Sequence, residues 1–369
     1  MLYIRLGSGE FFIPLKLFHY RDIFYYKAPM DGILFSTLDT GMIRIKKYMM
    51  SIKKILWLGL LILLSIAMTD CAGFNSKNRY IDLVGHRGAR GYRPENTIPS
   101  FQYGIENNMT AIELDVNVTK DKDLIIYHDT EITGALCLDE SGKPAATVPI
   151  RDLTVEELKK YDCGALQHRE FPQQVTVEKT RLITLKEFFE FVKSYETERK
   201  LLHATRIKVE IKFPRDYTPE DIKEAATLVV KNIEEAGMTE RAVVQSFVIA
   251  ALPEVRKLNK NIQTSALFEP RYSRGVATTD GPGNPRNTII KEALNAGADM
   301  IAPHYLFITP QFVRECHRNK LRVIAWTVND KAQMEKLLSY GVDGIISDYP
   351  DILYLAYKEW KTKKKKYKL

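Results

Sequence analysis

Short runs of apolar residues recur along the chain from residue 81 onward, and most are separated by segments with helical periodicity. Nine runs have the length and composition of strands: Ile81–Val84, Ala111–Val116, Leu124–Tyr127, Ile207–Ile211, Ala242–Gln245, Gln263–Phe268, Asp299–Ala302, Arg322–Thr327 and Gly344–Ile346. One intervening helix, Pro219–Ala236, follows a capping residue at Thr218 and has acidic residues in its first turn. Strands that alternate with helices over about 280 residues predict an α/β fold, specifically a (β/α)8 barrel.

Nine strands are one more than such a barrel needs. Only Lys120–Asp123 separates the segment Val116–Thr119, at the end of the second run, from Leu124, where the third begins. That spacing is too short for a crossover between parallel strands. We therefore predict that the segment 111–127 contains an antiparallel hairpin.

The segment 130–206 is too long for an ordinary barrel crossover. It contains four Gly and Pro residues between 134 and 149, then a helix start at Thr154-Val-Glu-Glu157 and a longer helix over Leu185–Ser194. We interpret its first half, about 131–180, as a small capping insertion over the active-site face. A disordered surface loop is the alternative that its Pro and Gly content allows.

An apolar run near the N-terminus has the features of an export signal. Ile55–Met68 is 14 residues long and follows Lys53-Lys54, a length typical of signal peptides and short of the roughly 20 residues that span a bilayer. Residues 1–48 show no clear period and directly precede Met49-Met50. We therefore predict that 1–48 is an upstream extension outside the native protein, and that 49–72 directs export.

Cys71 lies at the distance from this apolar run at which bacterial lipoproteins carry their lipid. Asp70 departs from the small residue expected before such a cysteine, and Ser65 and Ala67 offer an ordinary cleavage site instead. Both outcomes stay open. The expected location is periplasmic, or membrane-anchored as a lipoprotein through the signal or Cys71.

Composition places the remainder among ordinary folded domains, with 45% hydrophobic and 27% charged residues in a chain of 369. We predict one barrel domain over 76–357, followed by a basic tail over 358–369. Much of the net charge of +8 comes from that tail, which we expect to be solvated and disordered. Attraction to anionic lipid is the alternative, and no nucleic-acid partner is expected.

The four cysteines are too few for a disulfide scaffold, and whether Cys137 and Cys163 pair depends on export.

Carboxylates alternate with apolar residues in two of the predicted strands. Glu113 and Asp115 share one face of their strand, and Glu210 shares a face with Lys212. Carboxylates that face one barrel interior repel each other unless a cation lies between them. Three carboxylates without cysteine predict one divalent cation that prefers oxygen ligands, Ca²⁺ or Mg²⁺.

Two histidines follow strand ends. His86 comes after the first strand with Arg87 beside it, and His128 ends the third strand and is followed by Asp129. Together with Lys212 and a divalent cation, these groups suit a phosphate, since cations neutralise its charge and histidines transfer protons. We interpret Asp129 as a turn or supporting residue rather than a ligand.

These motifs, in this order, resemble the glycerophosphodiester phosphodiesterase family. The matching segments are His86–Ala89, Pro94–Thr97, Glu113–Val116, Thr119–Asp121, His128-Asp129, Glu210–Lys212, Gln245–Phe247, Trp326–Val328, Gly341–Gly344 and Ser347-Asp348. The resemblance covers residues 81–357 and implies a barrel with a capping insertion between the His-Asp motif and the Glu-x-Lys strand. Asp162-Cys163-Gly164 is similar to a family Asp-Ala-Gly, from which Cys163 departs.

The resemblance implies hydrolysis of a glycerophosphodiester to glycerol 3-phosphate and an alcohol. It assigns roles to nine residues: the acid/base pair His86 and His128, the metal ligands Glu113, Asp115 and Glu210, the phosphate contacts Arg87 and Lys212, and the glycerol-side wall residues Phe247 and Trp326. The two aromatic residues would equally suit a barrel core. A phospholipase-type enzyme acting on lysophospholipids is the alternative on the same barrel. A non-catalytic surface binding protein would show loss of site residues, which the sequence does not.

Overall fold

The structure, a computed structural model, describes residues 5–6, 9–10, 80–201, 204–269 and 285–367. The chain divides into two units, Met1–Lys77 and Asn78–Leu369. In the first unit, Arg5–Leu6 pairs antiparallel with Gly9–Glu10. The rest of the predicted extension 1–48, the export signal 49–72 and Cys71 lie outside the described residues.

The described part of the second unit alternates strands and helices. Its strands are β1 (Asp82–Gly85), β2 (Ala111–Val118), β3 (Leu124–Ile126), β4 (Glu131–Ile132), β5 (Val148–Pro149), β6 (Arg206–Ile211), β7 (Ala242–Ser246), β8 (Gln263–Phe268), β9 (Met300–Pro303), β10 (Arg322–Ala325) and β11 (Gly344–Ser347). Its α-helices are α1 (Ile98–Glu106), α2 (Val155–Leu158), α3 (Leu185–Arg199), α4 (Pro219–Glu235), α5 (Ala251–Leu258), α6 (Pro285–Asn295), α7 (Pro310–Arg318), α8 (Lys331–Tyr340) and α9 (Pro350–Tyr367). None of the helices in these residues is long and apolar enough to cross a membrane.

Eight parallel strands close into a barrel. The strand order is β1-β2-β6-β7-β8-β9-β10-β11, and β11 pairs again with β1. The predicted (β/α)8 barrel is therefore confirmed, and each of the nine predicted strand runs contains a strand. The strand that is additional to these eight, β3, pairs antiparallel with the end of β2, where Val116 lies opposite Ile126 and Val118 opposite Leu124. The predicted hairpin is thus also confirmed.

Alternation along β2 and β6 separates two layers of the barrel. Ile112 and Leu114 of β2, like Val209 of β6, pack in the large cluster between strands and helices. Ala111 packs in a second cluster with side chains from opposite strands, including Val243 and Ile324, which fills the barrel interior. Because side chains of a strand alternate between its faces, Glu113 and Asp115 point to the interior of the barrel.

A buried ion cluster closes the amino end of the barrel. Asp82 at the start of β1 is fully buried and lies 3.2 Å from Arg206, 3.0 Å from Arg322 and 3.7 Å from Lys208. Burial lowers the pKa of Lys208 to about 8, against the opposing effect of Asp82. The first residues of β1, β6 and β10 are thereby held together, and removal of Asp82 would leave the buried Lys208 without its ion-pair partner.

The insertion after the His-Asp motif has an ordered fold rather than a disordered loop. Its strands β4 and β5 pair antiparallel, and α2 begins at Thr154 with a complete capping box to Glu157. A disulfide joins Cys137 to Cys163, so the pairing that the sequence left open is present. Both cysteines pack in a small core with Tyr127, the residue that precedes His128.

The basic tail differs from its predicted disorder, since α9 continues through Tyr367. Leu353 and Ala356 bury the first half of α9 against the barrel. Its second half is tied to α8 by ion pairs that join Lys331 to Glu359 and Lys363 to Glu335. The prediction of disorder was wrong because it considered only the run of lysines. The helix that precedes the run packs against the barrel and continues into that run.

The disulfide in the insertion gives a test of that segment's stability. A bridge across a separation of 26 residues removes conformational freedom from the unfolded chain, which stabilises the folded state by about 3.5 kcal/mol in the chain-entropy model. We expect the double variant Cys137→Ser/Cys163→Ser to lower the free energy of unfolding by about that amount, measured by urea denaturation. Dithiothreitol should reproduce the loss in the wild type and leave the variant unchanged; equal sensitivity of both proteins would contradict the assignment.

Candidate active site

Three buried carboxylates meet inside the barrel near its carboxyl end. Glu113 and Asp115 come from the inward face of β2, and Glu210 comes from β6, directly opposite Asp115 in the strand register. Their exposed fractions are 1%, 1% and 7%, and one oxygen of each lies within 4.8 Å of the others. The three predicted metal ligands are therefore brought together as a ligand set made only of oxygen.

Burial and like charge set the electrostatics of this cluster. Burial, with the charges of Asp115 and Glu210, raises the pKa of Glu113 well above its usual value. Burial would also raise the pKa of Asp115, but Lys212, His128 and Arg87 lower it below its usual value. A bound cation would stabilise this cluster of carboxylates, because it would remove the repulsion that opposes ionisation of Glu113.

The groups around the carboxylates fit a divalent cation. Glu113 accepts hydrogen bonds from the Arg87 backbone N–H (2.9 Å) and from Gln245 Nε2 (3.2 Å), while Asn96 Nδ2 donates to Asp115 (2.9 Å). Within the described residues, the buried Gln245 Oε1 has no hydrogen-bond partner. An unpaired oxygen beside three held carboxylates suits a hard cation, and Ca²⁺ and Mg²⁺ are the ions that prefer such donors.

Two basic side chains border the carboxylates. Lys212 Nζ lies 2.7 Å from Glu210 and 3.5 Å from Asp115. The Arg87 guanidinium lies 2.7 Å from Glu95 and 3.5 Å from Asp115. Both of the predicted phosphate contacts therefore lie at the edge of the predicted metal site.

A tight turn after β1 places Arg87. A Cβ on Gly85 would lie 2.1 Å from the Gly88 carbonyl oxygen, so only glycine fits there. Arg87 itself has φ of 49°, in the left-handed region that side chains other than glycine rarely adopt. Strain of this kind persists where the surroundings hold it, and it is concentrated at functional sites. At Arg87, this left-handed backbone conformation directs the N–H toward the Glu113 carboxylate.

His86 is held by residues from two other strand ends. Its Nδ1 lies 2.6 Å from Asp348, which follows β11, and Asp348 accepts a hydrogen bond from Asn329 Nδ2 (2.6 Å), which follows β10. The Asp348 backbone N–H donates to Asn329 Oδ1 in return. Burial lowers the pKa of His86 despite the opposing effect of Asp348. With Nδ1 engaged, Nε2 is the nitrogen left for proton transfer.

His128 lies on the insertion side of the same site. Its Nδ1 is 2.7 Å from Asp129, and Asn117 of β2 donates to the carbonyls of Tyr127 and Asp129 and so fixes the segment between them. A positive charge on His128 would help the neighbouring basic groups to lower the pKa of Asp115 and of Glu95. Asp129 supports a histidine rather than the carboxylate cluster, as predicted.

The two predicted wall aromatics meet at the carboxyl end of the barrel. The Phe247 and Trp326 rings pack edge to face with centroids 5.3 Å apart, and Trp326 Nε1 donates to the Ala302 carbonyl. Lys212 Nζ lies 6.0 Å from the Phe247 centroid. Both rings are partly buried on the interior cluster, so they form a wall of the site and the top layer of the core together.

Several residues of this site were not assigned roles from the sequence. Glu95, buried against Arg87 and Arg90, has a pKa lowered to about 2, because the two guanidiniums outweigh its burial. The others hold a carboxylate or a histidine in place: Asn96, Asn117, Gln245, Asn329 and Asp348. Most lie in the motif segments that carry the family resemblance, which was the available signal, but their partners are distant in sequence.

Comparison with known proteins agrees with this geometry. The model of the "Glycerophosphoryl diester phosphodiesterase family" matches residues 86–352. A glycerophosphodiester phosphodiesterase of Caldanaerobacter subterraneus subsp. tengcongensis is 31% identical over 73% of this chain and 95% of its own length. One of Bacillus subtilis is 30% identical over 74% of this chain and 86% of its own length.

Solved structures show the same fold. A putative glycerophosphoryl diester phosphodiesterase from Silicibacter pomeroyi has a TM-score of 0.68 at 27% identity, covering 77% of this chain and 95% of that one. An Oleispira antarctica phosphodiesterase, solved in complex with the product sn-glycerol-3-phosphate, has a TM-score of 0.57 at 21% identity, covering 76% and 97%. The range that the family model matches contains every side chain described for the site, from His86 to Asp348, and the chain belongs to the glycerophosphoryl diester phosphodiesterase family.

Proposed function

We propose that this protein hydrolyses glycerophosphodiesters to sn-glycerol 3-phosphate and an alcohol, with one divalent cation and the histidines His86 and His128. The observation that carries the proposal is the buried cluster of three carboxylates, bordered by Arg87 and Lys212. Two histidines that follow strand ends, each paired with a carboxylate, accompany it: His86 and His128. Family membership supports the substrate class, and the oxygen-only ligand set supports Ca²⁺ or Mg²⁺ as the ion.

Charge neutralisation is the first requirement of the reaction. A phosphodiester is an anion, so attack on phosphorus needs positive charge at its non-bridging oxygens. A cation held by the three carboxylates would supply part of that charge. Arg87 and Lys212 supply the rest, and their ion pairs with Glu95 and Glu210 fix both side chains before substrate arrives.

Proton transfer is the second requirement, and the two histidines differ in ways that suit different roles. His86 is partly buried, and desolvation lowers its pKa, so its Nε2 is unprotonated near neutral pH and accepts the proton of the glycerol 2-hydroxyl. That oxygen then bonds to phosphorus and the P–O bond to the alcohol breaks, giving a cyclic phosphate. His128 gives its proton to the departing alkoxide. Water then opens the ring with the roles of the histidines reversed.

The metal and substrate assignments are tested together. Chelator-treated protein should release no glycerol 3-phosphate from glycerophosphocholine, and Ca²⁺ or Mg²⁺ should restore release, because the carboxylates need a cation between them. Glu113→Gln should weaken metal affinity, measured by calorimetry, together with activity. Glu190→Gln, the same change at an exposed position of α3, is the matched control and should alter neither.

Three results would contradict these assignments. Full activity after exhaustive chelation would exclude the metal. Faster hydrolysis of lysophosphatidylcholine than of glycerophosphocholine by the metal-loaded protein would favour the phospholipase alternative, whereas binding of diesters without turnover would favour a non-catalytic protein.

The two-histidine assignment predicts large losses in rate. A positioned acid or base contributes about 10²- to 10⁴-fold, so His86→Ala and His128→Ala should each lower kcat at least about 10²-fold. The double variant should fall by much less than the product of the two, because the pair acts as one unit. Circular dichroism and metal calorimetry control for folding. A His128→Ala enzyme within a few-fold of wild type would show that the second histidine is not required.

The Asp348 contact predicts a shift in pH dependence. Activity should fall on the acid side as His86 takes up a proton, at a pH below 6.5, the ordinary value for histidine, because the pKa of His86 is lowered. Asp348 opposes that lowering, so Asp348→Asn should move the acid limb of the pH–kcat profile to still lower pH. The kcat of the variant should also fall, because the hydrogen bond that holds Nδ1 of His86 becomes weaker. A shift to higher pH, or no shift, would contradict His86 as the base.

A further inference from the structure

The second half of α9 carries three lysines that each lie over an aromatic ring one turn earlier. Lys358 lies 5.4 Å from the Tyr354 centroid, and the pairs Lys361–Tyr357 and Lys364–Trp360 lie at 5.4 Å and 5.1 Å. The three pairs follow each other at intervals of three residues and so form a continuous stripe on the helix surface, which we call the lysine–aromatic stripe.

The lysines of the stripe keep their charge uncompensated by neighbouring carboxylates. Glu335 is paired with Lys363 and Glu359 with Lys331, both at distances below 2.8 Å. Among the described residues, no ion pair involves Lys358, Lys361 or Lys364. Three cations on two turns of one helix therefore present a local positive surface that an external anion would have to neutralise.

The stripe lies away from the candidate active site. Helices of this barrel run from the carboxyl ends of the strands back to their amino ends, and α9 follows β11. The ion pairs Lys331–Glu359 and Lys363–Glu335 show that this part of α9 lies beside α8 in the outer layer of helices. The stripe therefore lies on the outside of the barrel, whereas the carboxylate cluster lies inside it.

The combination of groups indicates which anionic partner fits. Lysines near a surface of anionic lipid are attracted to it, and Tyr and Trp are enriched where lipid head groups meet water. Leu355, 49% exposed on the same helix, adds apolar area. A single-stranded nucleic acid would instead need open ring faces for base stacking, and here the lysines lie over the rings.

We propose that the lysine–aromatic stripe of α9 docks the protein on an anionic lipid bilayer. The docking itself rests on α9 alone and is measured without turnover.

The experiment compares vesicles of phosphatidylcholine with vesicles of phosphatidylcholine mixed with phosphatidylglycerol, using the full chain. The N-terminal apolar run can bind both kinds, so the quantity measured is the ratio of the two affinities. Each lysine at such a surface contributes about fivefold, so Lys358→Gln/Lys361→Gln/Lys364→Gln should lower the anionic preference about a hundredfold. Added salt should lower the preference of the wild type in the same direction.

A matched variant controls for total charge. Lys186→Gln/Lys193→Gln/Lys223→Gln removes three exposed lysines from α3 and α4 and should keep the wild-type preference. Arginine at the three α9 positions should also keep it, since the charge remains. Hydrolysis of glycerophosphocholine should be unchanged in all three variants, which verifies their folding.

The proposal is overturned if the α9 glutamine variant keeps the wild-type ratio, or if both glutamine variants lose it equally. It is also overturned if the wild type shows no anionic preference. Binding of a single-stranded oligonucleotide that depends on the α9 lysines, without any vesicle preference, would assign the surface to nucleic acid.

Discussion

Repulsion among three carboxylates in a buried space governs the arrangement of this site. Glu113, Asp115 and Glu210 lose most of their hydration inside the barrel, and like charges at this separation disfavour ionisation, as the raised pKa of Glu113 shows. Arg87 and Lys212 offset part of this cost by lying beside Asp115. A divalent cation would offset more of it, so the repulsion among the three carboxylates favours binding of a metal ion. The same positive charges then suit the phosphate of a diester.

Strand pairing and a tight turn hold the three carboxylates in position. The parallel pairing of β2 with β6 puts Asp115 opposite Glu210, and the strained turn at Arg87 brings a backbone N–H to Glu113. The histidines are fixed differently. His86 is partly buried and supported from two distant strand ends, whereas His128 is on the hairpin that leads into the insertion. In the proposed mechanism, these different environments allow two chemically identical groups to serve as a base and an acid.

The sequence was most informative where local periodicity decides the outcome. Alternation in Glu113-Leu114-Asp115 was enough to place both carboxylates on one face, and the short spacing after β2 was enough to predict the hairpin. Contacts between distant segments were not accessible in this way: Asp348 is separated from His86 by 262 positions, and no local pattern indicates that they touch. The tail was mispredicted because helix extension beyond a packed segment depends on partners on α8, which sequence charge alone does not reveal.

The most direct test of this account is a crystal structure of the protein grown with Ca²⁺ and sn-glycerol 3-phosphate. The account predicts one ion within about 2.3–2.6 Å of an oxygen from each of Glu113, Asp115 and Glu210, with the phosphate between that ion and Arg87. It also predicts that His86 and His128 approach the phosphate from different sides. An ion bound by the histidines, or a phosphate bound away from the three carboxylates, would contradict it.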